Sequence, residues 1–344
     1  MKVVNRIPEA ALDPATPQVS SSGLSRGPTV QQTEPAVAIG HFRSDTPSAQ
    51  AQRDLVRLFK DAGIATPELD ARWLLIGVLG ITDVDLISSP ERPLGDCVTT
   101  LTSAVTRRLA GEPVSRILGN AEFYGREFLL SPATLDPRPD TETLIDVALK
   151  IVDAEGGRQR PIRILDLGTG TGCLLLTLLA ELPNATGVGC DISAEAVATA
   201  TANARQLGVT DRCELRIADM LSPGLGGIVG PFDLIIANPP YIPTLVIADL
   251  DEGVRQYDPT AALDGGIDGL LFYRAVAAGF SALLPDGWLV LEIGYDQAAS
   301  VPAILEHMRQ GADWTSPRLT RDLGGNPRCV AIRTRDIAAE EKSL

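Results

Sequence analysis

The sequence predicts an α/β protein with a mostly parallel sheet and helices on both faces, preceded by a small helical bundle and a β-hairpin. Three observations support this fold class. The chain has 344 residues, more than twice a typical domain of ~100–150 residues, so more than one folding unit is expected. From residue 162 onward, apolar runs of strand length alternate with helical segments, as in buried parallel sheets. Before that point, apolar residues recur at helical spacing.

The composition is that of an ordinary globular protein, with 44% apolar and 22% charged residues. The net charge of −14 repels phosphate backbones, so autonomous nucleic-acid binding is not expected. No apolar run approaches the ~20 residues that a membrane span requires. The five cysteines stand singly and the two histidines are far apart, which predicts neither a disulfide framework nor a metal site. The expected compartment is the cytoplasm.

The N-terminal part of the chain divides into two segments. Residues 1–46 are rich in proline and serine and lack apolar periodicity, so we predict a disordered leader. Residues 47–115 predict the helical bundle, with helices that end near Gly63 and Gly80 and a further helix around 101–109. The bundle has surface but no constellation of catalytic residues, and we expect it to recognise the substrate.

The rest of the chain predicts a connecting hairpin and a catalytic domain. Residues 116–132 hold aromatic and aliphatic residues on both sides of Gly125, which indicates a β-hairpin. Residues 133–344 form the predicted catalytic domain. Its predicted elements are a helix at 144–152, strand 162–167, helix 173–180, strand 185–190, helix 194–207, strands 213–218 and 232–237, helix 269–284 and strand 288–293.

A glycine-rich segment, Asp166-Leu-Gly-Thr-Gly-Thr-Gly172, follows the first predicted strand of the sheet. Its glycines are Gly168, Gly170 and Gly172, so the spacing is G-x-G-x-G and not the G-x-G-x-x-G of a dinucleotide site. Glycines permit close backbone approach to a ligand, and the following helix offers unpaired N–H groups. The spacing argues against a pyrophosphate cradle, and hence against a dehydrogenase. It favours a ligand with an amino-acid end and a nucleoside end.

Acidic residues follow the next two predicted strands. Asp191 lies where ribose hydroxyls would be bound, and Asp219 lies where a side chain would reach an adenine amino group. Either residue alone is typical of a solvated strand end. Together with the glycine-rich loop, they resemble the S-adenosylmethionine site of class I methyltransferases.

The fourth predicted strand runs into Asn238-Pro239-Pro240-Tyr241. Neither proline has an N–H, so the loop presents mainly acceptors, the Asn238 side-chain oxygen and the Pro239 carbonyl. Two acceptors that hold both N–H bonds of an amide or aryl amine orient its nitrogen, and they bind it more strongly as positive charge develops. Tyr241 supplies a flat face beside the substrate. The predicted catalytic residues are Asn238, Pro239 and Tyr241.

Other segments stand beside the two loops already described. Together with the loops, the set is Gly111–Gly119, Glu122–Gly125, Pro137–Glu142, Asp166–Gly172, Asn238–Ile242, Val254–Pro259 and Leu289–Gly294. This set resembles the protein-(glutamine-N5) methyltransferases that modify peptide chain release factors, over roughly residues 50–335. The resemblance implies an N-terminal helical bundle, a connecting hairpin and a class I, Rossmann-like methyltransferase domain. It also implies a substrate, the glutamine of a Gly-Gly-Gln tripeptide in the release factor.

The resemblance also assigns site residues. Met220 stands where relatives often have an aromatic residue, so a softer thioether contact is expected beside the adenine. Arg138 and Glu142 are expected to shape the wall between the two domains, or alternatively to form a buried ion pair. The implied cofactor residues are Asp166, Gly168, Thr169, Gly170, Thr171, Gly172, Asp191, Asp219, Met220 and Asn238. The implied substrate residues are Asn238, Pro239, Pro240, Tyr241, Arg138 and Glu142.

Two alternative functions remain at this point. Asn-Pro-Pro-Tyr also occurs in adenine-N6 nucleic-acid methyltransferases, but these need a basic groove, and base flipping asks for more aromatic residues than 4%. An inactive methyltransferase-like binding module is the other alternative. The intact glycine loop, Asp191 and Asn238 argue against it.

Overall fold

The computed structural model describes residues 42–222, 224–308 and 314–334. A helical bundle occupies the N-terminal part, with Leu55, Phe59, Leu74 and Leu101 fully buried in its core. Gly80 ends the second helix in the left-handed conformation, at φ 60°, and its N–H donates to the Ile76 carbonyl. The helices are α1 (Ser48–Asp61), α2 (Pro67–Leu79), α3 (Asp83–Ser88), α4 (Val98–Leu109) and α5 (Val114–Leu118).

The prediction of a disordered leader over 1–46 is wrong for its last residues. The backbone N–H of Leu94 donates to the Thr46 carbonyl at 3.0 Å, and Phe42 packs against the core of the bundle. These contacts join the segment before α1 to the bundle. Residues 1–41 lie outside the described residues.

A two-stranded hairpin follows the bundle, with β1 (Asn120–Phe123) antiparallel to β2 (Arg126–Leu129). Both turn residues, Tyr124 and Gly125, have positive φ, at 51° and 70°, as a two-residue hairpin turn requires. The predicted hairpin over 116–132 is shorter in the structure, because α5 continues to Leu118.

The hairpin packs against the catalytic part of the chain. Its two phenylalanines, Phe123 and Phe128, are buried edge to face at 6.2 Å and belong to the hydrophobic core on one side of the large sheet. Asn203 ties the hairpin to that part, because its Oδ1 accepts from Leu129 N at 2.8 Å. The hairpin is therefore packed into the core beside the large sheet.

The C-terminal part contains a seven-stranded sheet in the order β5-β4-β3-β6-β7-β9-β8 among the described residues. The strands from β5 to β7 are parallel, and β9 and β8 are added antiparallel at one side. The predicted mostly parallel sheet is confirmed. The elements are α6 (Glu142–Ala154), β3 (Arg163–Leu167), α7 (Cys173–Glu181), β4 (Thr186–Asp191), α8 (Ala194–Gln206), β5 (Cys213–Ile217), α9 (Gly224–Gly227), β6 (Leu234–Ala237), α10 (Glu252–Tyr257), α11 (Leu271–Gly279), β7 (Gly287–Glu292), α12 (Ser300–Met308), β8 (Arg318–Arg321) and β9 (Pro327–Thr334).

Each face of the sheet has its own apolar core. Ile164, Ile236 and Val290 face α6 and α7, whereas Leu165 and Ile235 on the same strands face α11 and α12. Because successive side chains point to opposite faces, a strand covered on both sides is apolar throughout. Within the described parts of the chain, no helix combines the length and apolarity needed to cross a bilayer.

Candidate active site

A cavity of about 370 Å³ opens at the edge of the sheet where β3, β4 and β6 end. This is where an open α/β sheet places its ligand, because the loops after parallel strands converge there. Four segments of the chain line most of it: the approach to α6, the glycine-rich loop, the strand ends and the loop 259–264. The predicted site residues among the lining are Gly168, Thr169, Gly170, Thr171, Asp191, Asp219, Met220, Asn238 and Pro240.

Two positions of the glycine-rich loop combine a left-handed backbone with a side chain close by. Gly168 has φ 71°, and a Cβ there would lie 2.7 Å from Met220 Cε. Gly172 has φ 82°, and a Cβ there would lie 2.7 Å from Leu176 Cδ1. Both positions therefore favour glycine for its conformation, and a larger residue would also have to displace the end of a neighbouring side chain. The loop is tied to the next strand by Thr169 N, which donates to the Cys190 carbonyl at 2.8 Å.

Asp166 lies beneath this loop and does not line the cavity. Its Oδ2 accepts from the Thr169 hydroxyl at 2.6 Å, and its Oδ1 has no hydrogen-bond partner among the described residues. Burial raises the pKa of Asp166 to about 7, against the opposing effect of the Thr169 hydrogen bond. The side chain therefore supports the loop from behind. Gly172, another implied cofactor residue, also does not line the cavity.

Asp191 ends β4 and faces the cavity with its carboxylate held in place. Gly170 N donates to Oδ2 and Ser193 N donates to Oδ1, each at 2.9 Å. Each carboxylate oxygen keeps a further lone pair for a ligand. Asp219 is held less tightly, by Leu221 N at 2.8 Å and the Ser222 hydroxyl at 3.3 Å.

The Asn-Pro-Pro-Tyr loop brings two of its four residues to the cavity, Asn238 and Pro240. Asn238 Nδ2 donates to the Thr141 hydroxyl at 3.3 Å. Thr141 therefore bonds the NH₂ end of the Asn238 side chain and not its oxygen, Oδ1. Pro239 and Tyr241 are not among the lining residues. The Tyr241 hydroxyl donates to Glu292 Oε1 at 3.4 Å. Burial is the main cause that raises the pKa of Tyr241 above its usual range, and the negative charge of Glu292 is the second. The Tyr241 hydroxyl therefore stays protonated.

Arg138 and Glu142 are not part of the cavity wall, nor do they pair with each other. Arg138 Nη2 donates to Asp258 Oδ2 at 2.5 Å, and its side chain is 42% exposed. Glu142 accepts from Tyr124 N at 2.7 Å and so caps the hairpin turn. Their chain neighbours Pro137 and Thr141 line the cavity instead. Each residue finds a partner from a distant element, so the pair does not form the cavity wall seen here, and the expected role of the two residues toward the substrate stays a prediction.

Sequence reasoning missed two residues beside the site, Thr141 and Glu292. Thr141 lies within Pro137–Glu142, one of the segments that carry the family resemblance, but no role was predicted for it. Glu292 was visible as a carboxylate at the end of an otherwise apolar strand. A buried charge in such a strand indicates a specific partner.

The chain is similar to known methyltransferases over both its N-terminal and its C-terminal parts. Two family models match, a PrmC N-terminal domain over residues 50–119 and a methyltransferase domain over residues 159–266. A release factor glutamine methyltransferase from Agrobacterium fabrum is 44% identical over 274 residues, which cover 79% of this chain and 92% of the relative. One from Rhodospirillum rubrum is 43% identical over 279 residues, covering 80% and 82%. Among solved structures, a release factor-specific protein-(glutamine-N5) methyltransferase from Alicyclobacillus acidocaldarius is 25% identical, covering 58% of this chain and 94% of that one, with a TM-score of 0.35.

Proposed function

The chain belongs to the release factor glutamine methyltransferase family, and we propose that it methylates the side-chain amide nitrogen N5 of glutamine in the Gly-Gly-Gln motif of peptide chain release factors. The methyl donor is S-adenosylmethionine. One observation carries the proposal: Asn238 faces the same cavity as the glycine-rich loop and Asp191. The methyl donor and the methyl-accepting amide must lie in the same cleft for the methyl group to pass directly from one to the other.

The cavity fits the cofactor in charge. Its charged lining residues are Asp191, Asp219 and Asp264, and none of the described residues that line it is a lysine or arginine. A sulfonium cofactor is cationic at its reacting centre, whereas a pyrophosphate would call for positive charge. We propose that the glycine-rich loop holds the methionine end, Asp191 the ribose hydroxyls, and Asp219 with Met220 the adenine. When bound, S-adenosylmethionine supplies an electrophilic methyl group.

We propose that Asn238 and Pro239 hold the glutamine amide. Asn238 Oδ1 accepts one N–H of the amide, and the Pro239 carbonyl accepts the other. An amide nitrogen is a poor nucleophile because its lone pair is delocalised into the carbonyl. Two fixed acceptors favour its pyramidalisation, and their hydrogen bonds strengthen as the nitrogen becomes positive. The nitrogen forms a bond to the methyl carbon as the methyl–sulfur bond breaks, and the sulfur keeps that electron pair in the departing S-adenosylhomocysteine. The methylated nitrogen then releases one N–H proton to water, so no side-chain base is needed before attack.

The remaining parts of the chain serve substrate delivery in this proposal. Tyr241 keeps a neutral hydroxyl bonded to Glu292, which anchors the loop that bears Asn238. The helical bundle, 47–115, recognises the body of the release factor. Because the substrate takes part in translation, we place the reaction in the cytoplasm.

The test is mass spectrometry of a release factor after incubation with the protein and cofactor. We expect one added methyl group, located on the glutamine of Gly-Gly-Gln in the fragment spectrum. In single-turnover assays, Asn238→Ala is expected to lower the rate about 10²–10³-fold, as for loss of one preorganised hydrogen-bonding group. Cofactor affinity, measured by calorimetry, stays within a few-fold because the proposed cofactor contacts lie mainly on other loops.

Controls separate this proposal from the nucleic-acid alternative. DNA and RNA are incubated in parallel, and no methyl transfer to them is expected. An unmethylated release factor would overturn the proposed function. A near-normal rate in Asn238→Ala would leave the function standing but remove the acceptor role.

A further inference from the structure

A buried carboxylate lies directly behind the Asn-Pro-Pro-Tyr loop. Glu292 is the last residue of β7 and is 2% exposed. In the pairing of β6 with β7, Ala237 is opposite Leu291, so the next residues, Asn238 and Glu292, are neighbours at this edge of the sheet. Oε1 of Glu292 accepts from Tyr241, but Oε2 has no hydrogen bond of good geometry among the described residues. A buried carboxylate oxygen without a donor is costly and attracts any hydroxyl within reach.

Thr141 places a hydroxyl at the cavity, beside Asn238. The residue lines the cavity and is 2% exposed. Thr141 lowers the pKa of Glu292, against the larger effect of burial, as expected for a hydroxyl that favours the charged carboxylate. On the other side, Thr141 Oγ1 accepts the hydrogen bond from Asn238 Nδ2 at 3.3 Å. A threonine hydroxyl has one proton, so it donates in one direction only while its oxygen accepts from the other.

We propose that Thr141 is a positioning residue that turns the Asn238 carboxamide so that its oxygen faces the substrate, and that Glu292 sets the direction of the Thr141 hydroxyl. The two ends of a carboxamide have nearly the same shape, so packing alone does not select between them. With its proton directed to Glu292, Thr141 offers only an acceptor to Asn238. The NH₂ group then faces Thr141, and Oδ1 is left for the glutamine N–H.

This inference rests on the proposed function of Asn238, and it adds a pH dependence. Burial raises the pKa of Glu292 to about 7, partly opposed by Thr141, Arg328 and Tyr241. Protonated Glu292 no longer draws the Thr141 proton, so kcat is expected to fall as the pH decreases through about 7. The titratable and charged groups around Glu292 are Asp140 before α6, Cys173 on α7, Tyr241 after β6, Tyr273 on α11, and Arg328 and Cys329 on β9. The pKa values of the cysteines and tyrosines are raised, so these groups remain neutral near pH 7.

The first test compares Thr141→Val with Thr141→Ser in the full-length protein. Valine keeps the shape but leaves Asn238 Nδ2 without an acceptor, and we expect kcat to fall about 10- to 100-fold. The KM for the release factor and the affinity for S-adenosylmethionine stay within about threefold of the unmodified protein, because other residues provide those contacts. Serine restores the hydroxyl and is expected to recover most of kcat. Equal rates in the valine variant and the unmodified protein, or an equal loss in both variants, would refute the role of the hydroxyl.

The second test is the pH profile of kcat in Glu292→Gln, which does not depend on the folding of the valine variant. The unmodified protein is expected to lose activity below about pH 7, and the glutamine variant to show a lower, flatter profile over the same range. A retained acidic limb in the variant would assign the titration to another group and overturn the role of Glu292. Methylation of the release factor by the unmodified protein is measured alongside. If that is absent, the proposed function fails; if it is present and the variants behave normally, only the positioning role fails.

Discussion

Asp258 joins the helical bundle to the loop that lines the cofactor cavity, and its substitution is expected to destabilise the protein. Arg116 of α5 donates to Asp258 Oδ1 at 2.6 Å, and the two side chains are 7% and 3% exposed. Breaking a buried pair by removing one partner costs about 3–5 kcal/mol. Arg116 would retain hydrogen bonds to the carbonyls of Ser131 and Thr134 at 2.7 and 2.6 Å. The expected loss for Asp258→Asn is therefore near the lower limit, about 3 kcal/mol.

Arg138 provides the matched control for this substitution. It bonds the other oxygen of the same carboxylate, but its side chain is 42% exposed, so water replaces much of the contact when it is lost. Arg138→Gln is expected to cost no more than about 1 kcal/mol. Urea unfolding of the three proteins, followed by circular dichroism, gives the free energies of unfolding. If Asp258→Asn were within about 1 kcal/mol of the unmodified protein, or if Arg138→Gln cost as much, the reasoning from burial would be refuted.

Three further outcomes are expected. Asp191→Ala should weaken S-adenosylmethionine binding about 10- to 150-fold in calorimetry, the equivalent of about 1.5–3 kcal/mol for a charge-assisted hydrogen bond; unchanged affinity would move the ribose contact elsewhere. Burial raises the pKa of Glu292 from 4.5 to about 7, so the native protein keeps a proton that the unfolded chain releases. The stability from this group is present below pH 4.5 and is lost as the pH rises to about 7, and Glu292→Gln should lack that decline in pH-dependent unfolding. Deleting residues 1–41 should leave the thermal midpoint unchanged, whereas deleting 1–46 should lower it, because the Thr46 carbonyl bonds Leu94 N; equal midpoints would contradict this.

The predicted elements were most accurate where apolar periodicity coincided with a proline or glycine at the end of the element. Pro67 and Gly80 bound the second predicted helix, and α2 spans Pro67–Leu79. The hairpin turn at Gly125 was predicted in the same way. Strands β8 and β9 were not predicted, although β9 contains an apolar run at residues 329–332. Those strands pair antiparallel at the side of a parallel sheet. Their own residues do not indicate that pairing, because strand formation depends on the neighbouring strands.

The backbone conformations of the glycine-rich loop and the Asn-Pro-Pro-Tyr loop were foreseeable because glycine and proline act through the backbone of their own segment. Gly168 and Gly172 need positive φ, and Pro239 and Pro240 remove N–H donors, whatever surrounds them. Charged side chains follow a different rule, since their partners are set by which distant elements the fold brings together. Arg138 pairs with a residue 120 positions away.

The sequence by itself thus determined the type of fold and the backbone character of the glycine-rich loop and of the Asn-Pro-Pro-Tyr loop. The tertiary structure alone decided which carboxylates are buried, what each of them bonds, and that Asn238 donates to Thr141. The physical reason is the distance along the chain over which each interaction acts. Backbone conformation is dictated by residues a few positions apart, whereas burial and hydrogen bonding of a side chain depend on neighbours that only folding supplies.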